Sequence, residues 1–402
     1  MVRPERRTKA DVAAAVVLVA AVIAGSAVVW FNSDARATVS QTAPRPLPEQ
    51  PPAVAVPPTL TEAWRAPSPA TPVPVVAGPA VVTGAGSEVV GRDPVTGQPS
   101  WSYSRDIPLC TVGSEWNRAL AVYRKSHNCS EVTSLRGATG VRGPQRNSDA
   151  EFGTRLLSDG TYVTATGRRT FESWRSDMVL TEQYGIPVDL KNPDNNIERP
   201  DCTYSSVAVG EARIGVIEKC PGTTLGDRVT MLKTHPKDYE KSEQVFSTGL
   251  GSTQTSVVAV NEKRVAVLVR DRSEVLVYNT GGSIAARYPV HLGPADLHGN
   301  VQVEPTRTGS HVYWHTGADT LALDPTTLTP QWTVPDALGP GIDFGGRVLV
   351  PVRDGLAVLD PATGARECVI PVDRHGYPGP VQLGAAGSTL LEQRGDTLVA
   401  LR

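Results

Sequence analysis

Two histidines separated by three residues form the first pattern that could bind a metal ion. His311 and His315 would lie side by side on a helix, but the Val-Tyr-Trp between them is typical of a β-strand. On a strand the two rings share a face but lie ~13 Å apart, which is too far for one ion. The spacing therefore predicts no metal site at these histidines.

Two segments rich in polar residues carry the other candidates for chemistry. Asp296 and His298 could exchange a proton within a loop, and the acidic segment 189–198 could bind a cation. That segment lacks the Asp-x-Asp-x-Asp-Gly spacing of calcium loops, so both segments are interpreted as solvated insertions. The sequence also lacks Gly-x-Ser-x-Gly, a phosphate-binding loop and a dinucleotide motif. No catalytic, metal-binding or cofactor-binding residue is therefore assigned, and no cofactor is expected.

The five cysteines predict two disulfides and one free thiol. Cys110 and Cys129 are 19 residues apart, and Cys202 and Cys220 are 18 apart. Each pair begins with Cys-Thr and encloses a strand-like segment, which favours local disulfides in an exported chain, each contributing ~3 kcal/mol. A zinc site is the alternative, but no Cys-x-x-Cys is present. We expect Cys368 to be a buried apolar side chain, with an exposed redox-active thiol as the alternative.

The N-terminus has the pattern of a membrane anchor. The uncharged stretch 12–31 would span ~30 Å as a helix, the thickness of a hydrocarbon core. Four cations precede it: Arg3, Arg6, Arg7 and Lys9. This asymmetry predicts a cytoplasmic tail of residues 1–11 and a single-pass cell-membrane protein whose body is extracytoplasmic. A signal peptide cleaved at Ala35-Arg-Ala37 is the alternative, but the apolar stretch is longer than a usual signal core.

Residues 32–59 are predicted to be a proline-rich linker. Seven prolines fall between Pro44 and Pro58, and proline fixes φ and removes the amide donor that helices and central strands need. Such a segment extends by ~3 Å per residue. We therefore expect a tether that holds the folded body away from the membrane, in preference to a ligand for a proline-binding module.

Composition favours an all-β body over residues 60–402. Short valine-rich segments recur there, separated by Gly, Asp, Asn and Pro. The chain has 402 residues, of which 40% are hydrophobic, so a large core is possible. Its 39 basic residues are balanced by 41 acidic ones, which disfavours a nucleic-acid partner.

A short motif recurs through this body. It reads Asp-Pro-x-Thr-Gly followed by Trp, and its clearest copies contain Asp93, Gly97 and Trp101; Asp324 and Trp332; and Asp360 and Gly364. The aspartate can accept hydrogen bonds from turn amides, proline presets φ, and glycine takes the left-handed position. Each copy therefore predicts a hairpin turn whose second strand presents a large ring to a neighbouring sheet.

The motif resembles the Ala-x-Asp-x-x-x-Gly-x-x-x-Trp docking repeat of quinoprotein-dehydrogenase-like (PQQ-like) β-propellers. This chain departs from it where Leu328 replaces a glycine and where Cys368 stands in place of a tryptophan. The Ala-, Val-, Gly- and Pro-rich composition suits a high-GC, actinobacterial type of source. The resemblance implies a fold and, because the chain has no two consecutive cysteines, does not carry the quinone cofactor with it.

The positions of the turns predict the number of blades. Turns fall near residues 93, 136, 279, 324 and 360, and the longest gap has room for two more near 178 and 233. We predict an eight-bladed propeller, with seven blades as the alternative. The strand-like segments 60–65 and 397–401 are expected to pair in one blade and close the ring.

These features favour a non-catalytic binding or scaffolding module of the cell envelope, whose partner is an envelope protein or a glycan. We expect the binding surface on loops at one end of the propeller, with segments 185–201 and 290–300 as candidates. The first alternative is an enzyme, either a divergent quinoprotein oxidoreductase or a carbohydrate-active propeller. The second is a ligand-sensing ectodomain.

Overall fold

The computed structural model describes residues 8–186, 199–238, 241–294 and 304–402. It begins with helix α1 (Lys9–Phe31), which is followed by the short helix α2 (Asp34–Ala37). Thr8 and Asp11 form a capping box at the start of α1. None of the side chains of α1 is buried, and the helix is long and apolar enough to cross a membrane, a property that signal sequences share.

The body is an eight-bladed β-propeller, as predicted. Two strands precede the blades, β1 (Val39–Gln41) and β2 (Glu62–Pro67). The strands of blades 1 to 4 are β3 (Val75–Ala77), β4 (Ala80–Ala85), β5 (Glu88–Arg92) and β6 (Pro99–Ser104); β7 (Leu109–Glu115), β8 (Arg118–Lys125), β9 (Asn128–Arg136) and β10 (Arg142–Asn147); β11 (Leu156–Ser158), β12 (Val163–Ala165), β13 (Thr170–Trp174) and β14 (Leu180–Gly185); and β15 (Thr203–Gly210), β16 (Arg213–Lys219), β17 (Arg228–Lys233) and β18 (Gln244–Gly249).

The strands of blades 5 to 8 are β19 (Thr255–Val260), β20 (Arg264–Val269), β21 (Glu274–Asn279) and β22 (Ile284–Pro289); β23 (Thr306–Arg307), β24 (Val312–His315), β25 (Thr320–Leu323) and β26 (Pro330–Val334); β27 (Ile342–Phe344), β28 (Arg347–Val352), β29 (Gly355–Leu359) and β30 (Arg366–Pro371); and β31 (Val381–Ala386), β32 (Thr389–Arg394) and β33 (Thr397–Leu401). A 3₁₀ turn, Arg270–Arg272, joins β20 to β21. All pairings within blades are antiparallel, and the first strand of each blade lies innermost.

The two ends of the propeller sequence close the ring in blade 8. Strand β2 pairs antiparallel with β33, with Trp64 opposite Ala400. Thr61 and Arg402 exchange two backbone hydrogen bonds, of 2.7 and 2.9 Å. The predicted pairing of the chain ends is therefore confirmed. The fourth strand of blade 8 comes from the start of the propeller sequence, so this blade has no turn between its third and fourth strands.

The repeated motif forms one turn geometry at three places. Asp93 Oδ1 accepts from the backbone N–H of Val95 and of Thr96, at 2.9 and 2.8 Å, and from the Thr96 hydroxyl at 3.1 Å. Asp324 and Asp360 repeat these three bonds in blades 6 and 7. The bonds to Thr327 and Thr363 lower the pKa of Asp324 and Asp360, because they favour the charged carboxylate.

Each tryptophan of the repeat packs on the turn of the next blade. The indole N–H of Trp64, Trp101 and Trp332 donates to a turn carbonyl, at 2.9, 2.6 and 3.2 Å. The acceptors are Pro94, Gly137 and Pro361, which occupy the same position in the three turns. A Cβ on the turn glycine would lie 2.5–2.7 Å from the ring, at Gly97, Gly140 and Gly364. Glycine is needed at these turns both for its positive φ and for this close approach.

Two other blade junctions use different side chains in the same place. Phe246 of blade 4 occupies the ring position and lies against Gly282 of blade 5. At the next junction the ring is replaced by Ala286, and the turn residue of blade 6 is Leu328, fully buried at a φ of +55°. The leucine fills the space that a ring would take. The leucine that replaces glycine at position 328 is thus matched by a smaller residue, Ala286, where other blades have a ring.

The prediction that Cys368 is buried is wrong, although its position in the repeat is as expected. Cys368 lies opposite Val358, the register that Trp332 has opposite Ala322, yet it is a free and exposed thiol. A side chain at this position would pack on the turn between the third and fourth strands of blade 8. The chain ends occupy that place, so no turn covers Cys368.

Because Cys368 is exposed, we expect its thiol to be accessible to added reagents and its replacement to have little effect on stability. Under native, non-reducing conditions we expect an aromatic disulfide reagent to titrate one thiol per chain. Cys368→Ser should change the free energy of unfolding by less than about 0.5 kcal/mol, because the side chain has no packing to lose. Thermal melts of both proteins measure this. A thiol that reacts only after denaturation would show that Cys368 is buried after all.

The proline-rich segment differs from the expected free spacer. Strand β1 pairs with β6 as a fifth strand on the outer edge of blade 1. The chain then donates from Ala43 and Leu47 to the turn of blade 2, with both bonds 2.9 Å long. It continues over the first hairpins of blades 1, 8 and 7, at Gly78, Gly387 and Gly345. We call residues 39–60 the strap; it holds four blades together instead of standing away from them.

Candidate functional site

The propeller has two faces that differ in how much chain they carry. One face, which we call the loop face, is formed by the connections between blades and by the turns between the second and third strands of each blade. The opposite face, the strap face, carries the remaining turns and the strap. Both segments proposed from the sequence as binding loops, 185–201 and 290–300, connect blades on the loop face. Most of their residues lie outside the described part of the chain.

Both predicted disulfides are confirmed, and both lie at the loop face. Cys110–Cys129 joins the first and third strands of blade 2, with Cα atoms 6.1 Å apart. Cys202–Cys220 joins the chain entering blade 4 to the end of its second strand, with Cα atoms 4.2 Å apart. A backbone hydrogen bond also braces this region: the Cys129 N–H donates to Ala150 O at 2.7 Å. The loops beside these bonds are thus held on a fixed frame.

Blades 2 and 3 present three arginines and a histidine around an exposed aromatic ring on this face. The group comprises Arg124 at the end of β8 and His127 in the turn that follows it, Phe152 in the connection to blade 3, and Arg168 and Arg169 in the turn of blade 3. All five side chains are exposed, including Phe152 at 49%. The Arg124 guanidinium carbon lies 4.4 Å from the centre of the Phe152 ring, a cation–π contact. We call this group the basic surface.

The acidic groups nearest the basic surface are already engaged. Glu151 accepts backbone N–H bonds from Arg168, Arg169 and Thr170, at 3.1, 2.7 and 2.9 Å. Glu131 pairs with Lys125 at 3.0 Å. Within the described residues, no carboxylate pairs with the guanidinium of Arg124, Arg168 or Arg169. Among the described residues, the guanidinium groups of these three arginines can therefore still meet an anion.

Sequence reasoning did not find the basic surface. Its signals were the turn sequences Arg-Lys-Ser-His at 124–127 and Gly-Arg-Arg at 167–169, and a phenylalanine next to glycine at 152. Each is an ordinary exposed turn when taken alone. Only the packing of blade 2 against blade 3 brings these segments together.

The two histidines singled out in the sequence lie in separate environments. His311 Nε2 bonds Gln331 at 3.0 Å, and its Nδ1 lies near Ser310 and Tyr313. His315, on β24, bonds the carbonyl of Asp319, and burial lowers the pKa of its imidazole to about 4. No cluster of three metal-ligating side chains occurs in the described ranges. Asp296, His298 and the whole acidic segment 189–198 lie outside them.

The central channel contains a small cavity between the inner strands of blades 3 to 6. Its volume is about 60 Å³, and valines line much of it beside Arg155, Arg307 and Glu304. Arg307 donates to Val260 O at 2.6 Å, and burial raises the pKa of Glu304. The cavity has room for about two water molecules. The volume of this cavity is far below the ~300–1,000 Å³ of small-ligand pockets.

A buried carboxyl at the junction of blades 3 and 4 predicts a pH effect on stability. Glu182 takes the ring position of blade 3, is fully buried and bonds the Ser242 hydroxyl. Burial raises its pKa from 4.5 to about 8. The folded state therefore keeps a proton that the unfolded state has lost, so the stability present below pH 4.5 is lost as the pH rises through 8.

Glu182→Gln should remove this loss because the amide does not ionise. We expect the variant to exceed the parent protein by ~2–4 kcal/mol in free energy of unfolding at pH 8.5, with a smaller difference at pH 4.5. Urea titrations at the two pH values measure it, with Glu367→Gln, an exposed carboxyl, as the matched control. An equal pH dependence in both variants would contradict the assignment.

Comparisons with known proteins support the fold and go no further. No protein-family model and no curated protein matches the sequence. The chain superposes on the crystal structure of BamB from Moraxella catarrhalis with a TM-score of 0.53 and 14% identity, covering 86% of this chain and 100% of that one. For Sqt1 from Saccharomyces cerevisiae the values are 0.52, 12%, 87% and 98%. For the quinohemoprotein alcohol dehydrogenase from Comamonas testosteroni they are 0.51, 13%, 85% and 76%.

Proposed function

We propose that this chain is an extracytoplasmic, membrane-tethered β-propeller that acts as a non-catalytic binding or scaffolding module of the cell envelope. The observation that carries the proposal is the loop face, which both disulfides brace and which the described strap does not cross. The strap covers much of the opposite face. A rigid frame that presents loops on one side is how many folds build a binding surface.

The superpositions do not decide between binding and catalysis, because one of the similar structures is by its name a dehydrogenase. An oxidoreductase remains the second candidate on that ground. The cavity between the inner strands of blades 3 to 6 does not fit a quinone cofactor, since a volume of about 60 Å³ cannot enclose a multi-ring molecule. The binding module therefore has the stronger support.

Membrane topology can be measured through the exposed thiol. Cys368 is the one cysteine outside the two disulfides. We expect a membrane-impermeant maleimide to label the full-length protein in intact cells. Cys368→Ser is the control for labelling at other thiols. Labelling that requires prior lysis would place the propeller on the cytoplasmic side and overturn the proposal.

Binding through the loop face can be tested by crosslinking inside the cell. A photoreactive amino acid at Leu225, which is exposed in the turn of blade 4 on the loop face, should capture an envelope component. The same residue at Ile284, exposed on the outer strand of blade 5, is the matched control. Equal capture at both positions would contradict binding through the loop face. No capture at any loop-face position, together with quinone-dependent dye reduction, would favour the enzyme.

A further inference from the structure

We propose that the basic surface is a docking site for an acidic peptide segment of a partner protein, one that carries carboxylates on both sides of an apolar or aromatic side chain. This inference rests on the proposed binding function and names the chemistry of the partner. It is carried by the charge, the exposed ring and the rigid support of five neighbouring residues on blades 2 and 3.

The charge of the surface favours carboxylates. Arg124, Arg168 and Arg169 are exposed and, in the part of the chain that the structure describes, have no acidic partner. Arginine presents a planar fork of donors that matches a carboxylate with two parallel hydrogen bonds. The protein as a whole is slightly acidic, with a net charge of −2. The cations of this surface are therefore a local concentration and not part of a general basic character.

The exposed phenylalanine indicates that the partner also has an apolar component. Phe152 is exposed at 49%, next to Gly153, and one side of its ring faces Arg124. Arginine and aromatic side chains are the residues that dominate binding energy at protein interfaces. A purely electrostatic site for a phosphate-rich polymer would not need an exposed apolar ring among its cations. The combination favours a peptide.

The surface is held in place before a partner arrives. Glu151 binds three successive amides of the blade 3 turn and so fixes the backbone of Arg168 and Arg169. Arg124 N–H donates to Pro108 O at 2.8 Å, and the Cys110–Cys129 disulfide lies beneath the same turn. Binding therefore requires little ordering of the backbone, which reduces its entropic cost.

The test uses the full-length protein in detergent and a fluorescently labelled peptide of glutamates flanking one phenylalanine. We expect binding that weakens as salt is added, because the contacts are exposed charges. The triple variant R124E/R168E/R169E should bind at least about tenfold more weakly. The matched control R142E/R287E/R366E reverses three exposed arginines on the outer strands of blades 2, 5 and 7, outside the basic surface, and should bind like the parent. Equal loss in both triple variants would overturn the proposal.

The apolar component is tested by a double-mutant cycle. Phe152→Ala should weaken binding of the phenylalanine peptide but not of the same peptide with alanine in its place. A sugar polymer such as polyglucuronate that binds as tightly as the peptide, with no effect of Phe152→Ala, would assign the surface to a glycan and overturn the peptide assignment. Capture of a partner at Leu225 that the triple reversal leaves intact would refute this docking site alone, leaving the proposed function in place.

Discussion

Replacement of Trp101 by alanine is expected to lower the free energy of unfolding by about 3–5 kcal/mol, the range for truncating a fully buried tryptophan. Trp101 is only 2% exposed and closes the junction of blades 1 and 2. The variant loses the ring contact with Gly140 and the 2.6 Å bond to Gly137 O, which leaves a buried carbonyl without its donor. Urea titration of the parent and the variant measures the loss.

Two further variants test whether the effect comes from this junction. Phe152→Ala removes an exposed ring and should change stability by less than about 0.5 kcal/mol. Gly140→Ala adds a methyl group that would lie 2.7 Å from the Trp101 ring at a φ of +73°, so it should destabilise the parent more than it destabilises Trp101→Ala. Additive effects of the two substitutions would show that ring and glycine do not pack together.

The docking repeat explains why the architecture could be predicted from the sequence. Its aspartate, threonine and glycine act within one hairpin, so their spacing alone specifies the turn. Counting the turns gave eight blades, and the two weakest turns were placed near 178 and 233, where the structure has connections at 175–179 and 234–243. Local hydrogen bonding leaves a clear trace in a sequence.

Apart from the pairing of β2 with β33, two features that depend on contacts between distant segments were not predicted. The exposure of Cys368 follows from the position of the chain ends in the neighbouring blade, which its own motif does not encode. The strap was expected to be free because proline excludes helices and central strands, yet an extended chain can still lie along the hairpins of four blades. In both cases the deciding residues are far away in the sequence.

The basic surface was missed for the same reason. Arg124 and Arg168 are 44 residues apart in the numbering, in turns that carry no motif of their own. The three amide bonds to Glu151 join the turn of blade 3 to the connection between the two blades, and the contact of Arg124 with Phe152 joins blade 2 to the same connection. Binding surfaces on propellers are assembled from several blades, so single segments carry little of the signal.

The largest loss of stability is expected when the closing strand is removed. A chain that begins at Ser68 lacks β2, leaving blade 8 with three strands and blade 1 without the Trp64 contact on Gly97. We expect at least about 5 kcal/mol of destabilisation, because the half-buried Trp64 ring and a full ladder of strand pairing are lost together. Thermal melts and urea titration measure it.

The matched control is a chain that begins at Leu60, which keeps β2 but lacks α1 and the strap. It should retain most of the stability of the full body, because the pairs between Glu62–Pro67 and β33 remain. Arg65→Gln is a second control, since it breaks only a solvent-exposed pair with Glu62 and should leave the melting temperature nearly unchanged. If the chains beginning at Leu60 and at Ser68 melted together, the strap and not β2 would close the ring, since both chains lack the strap.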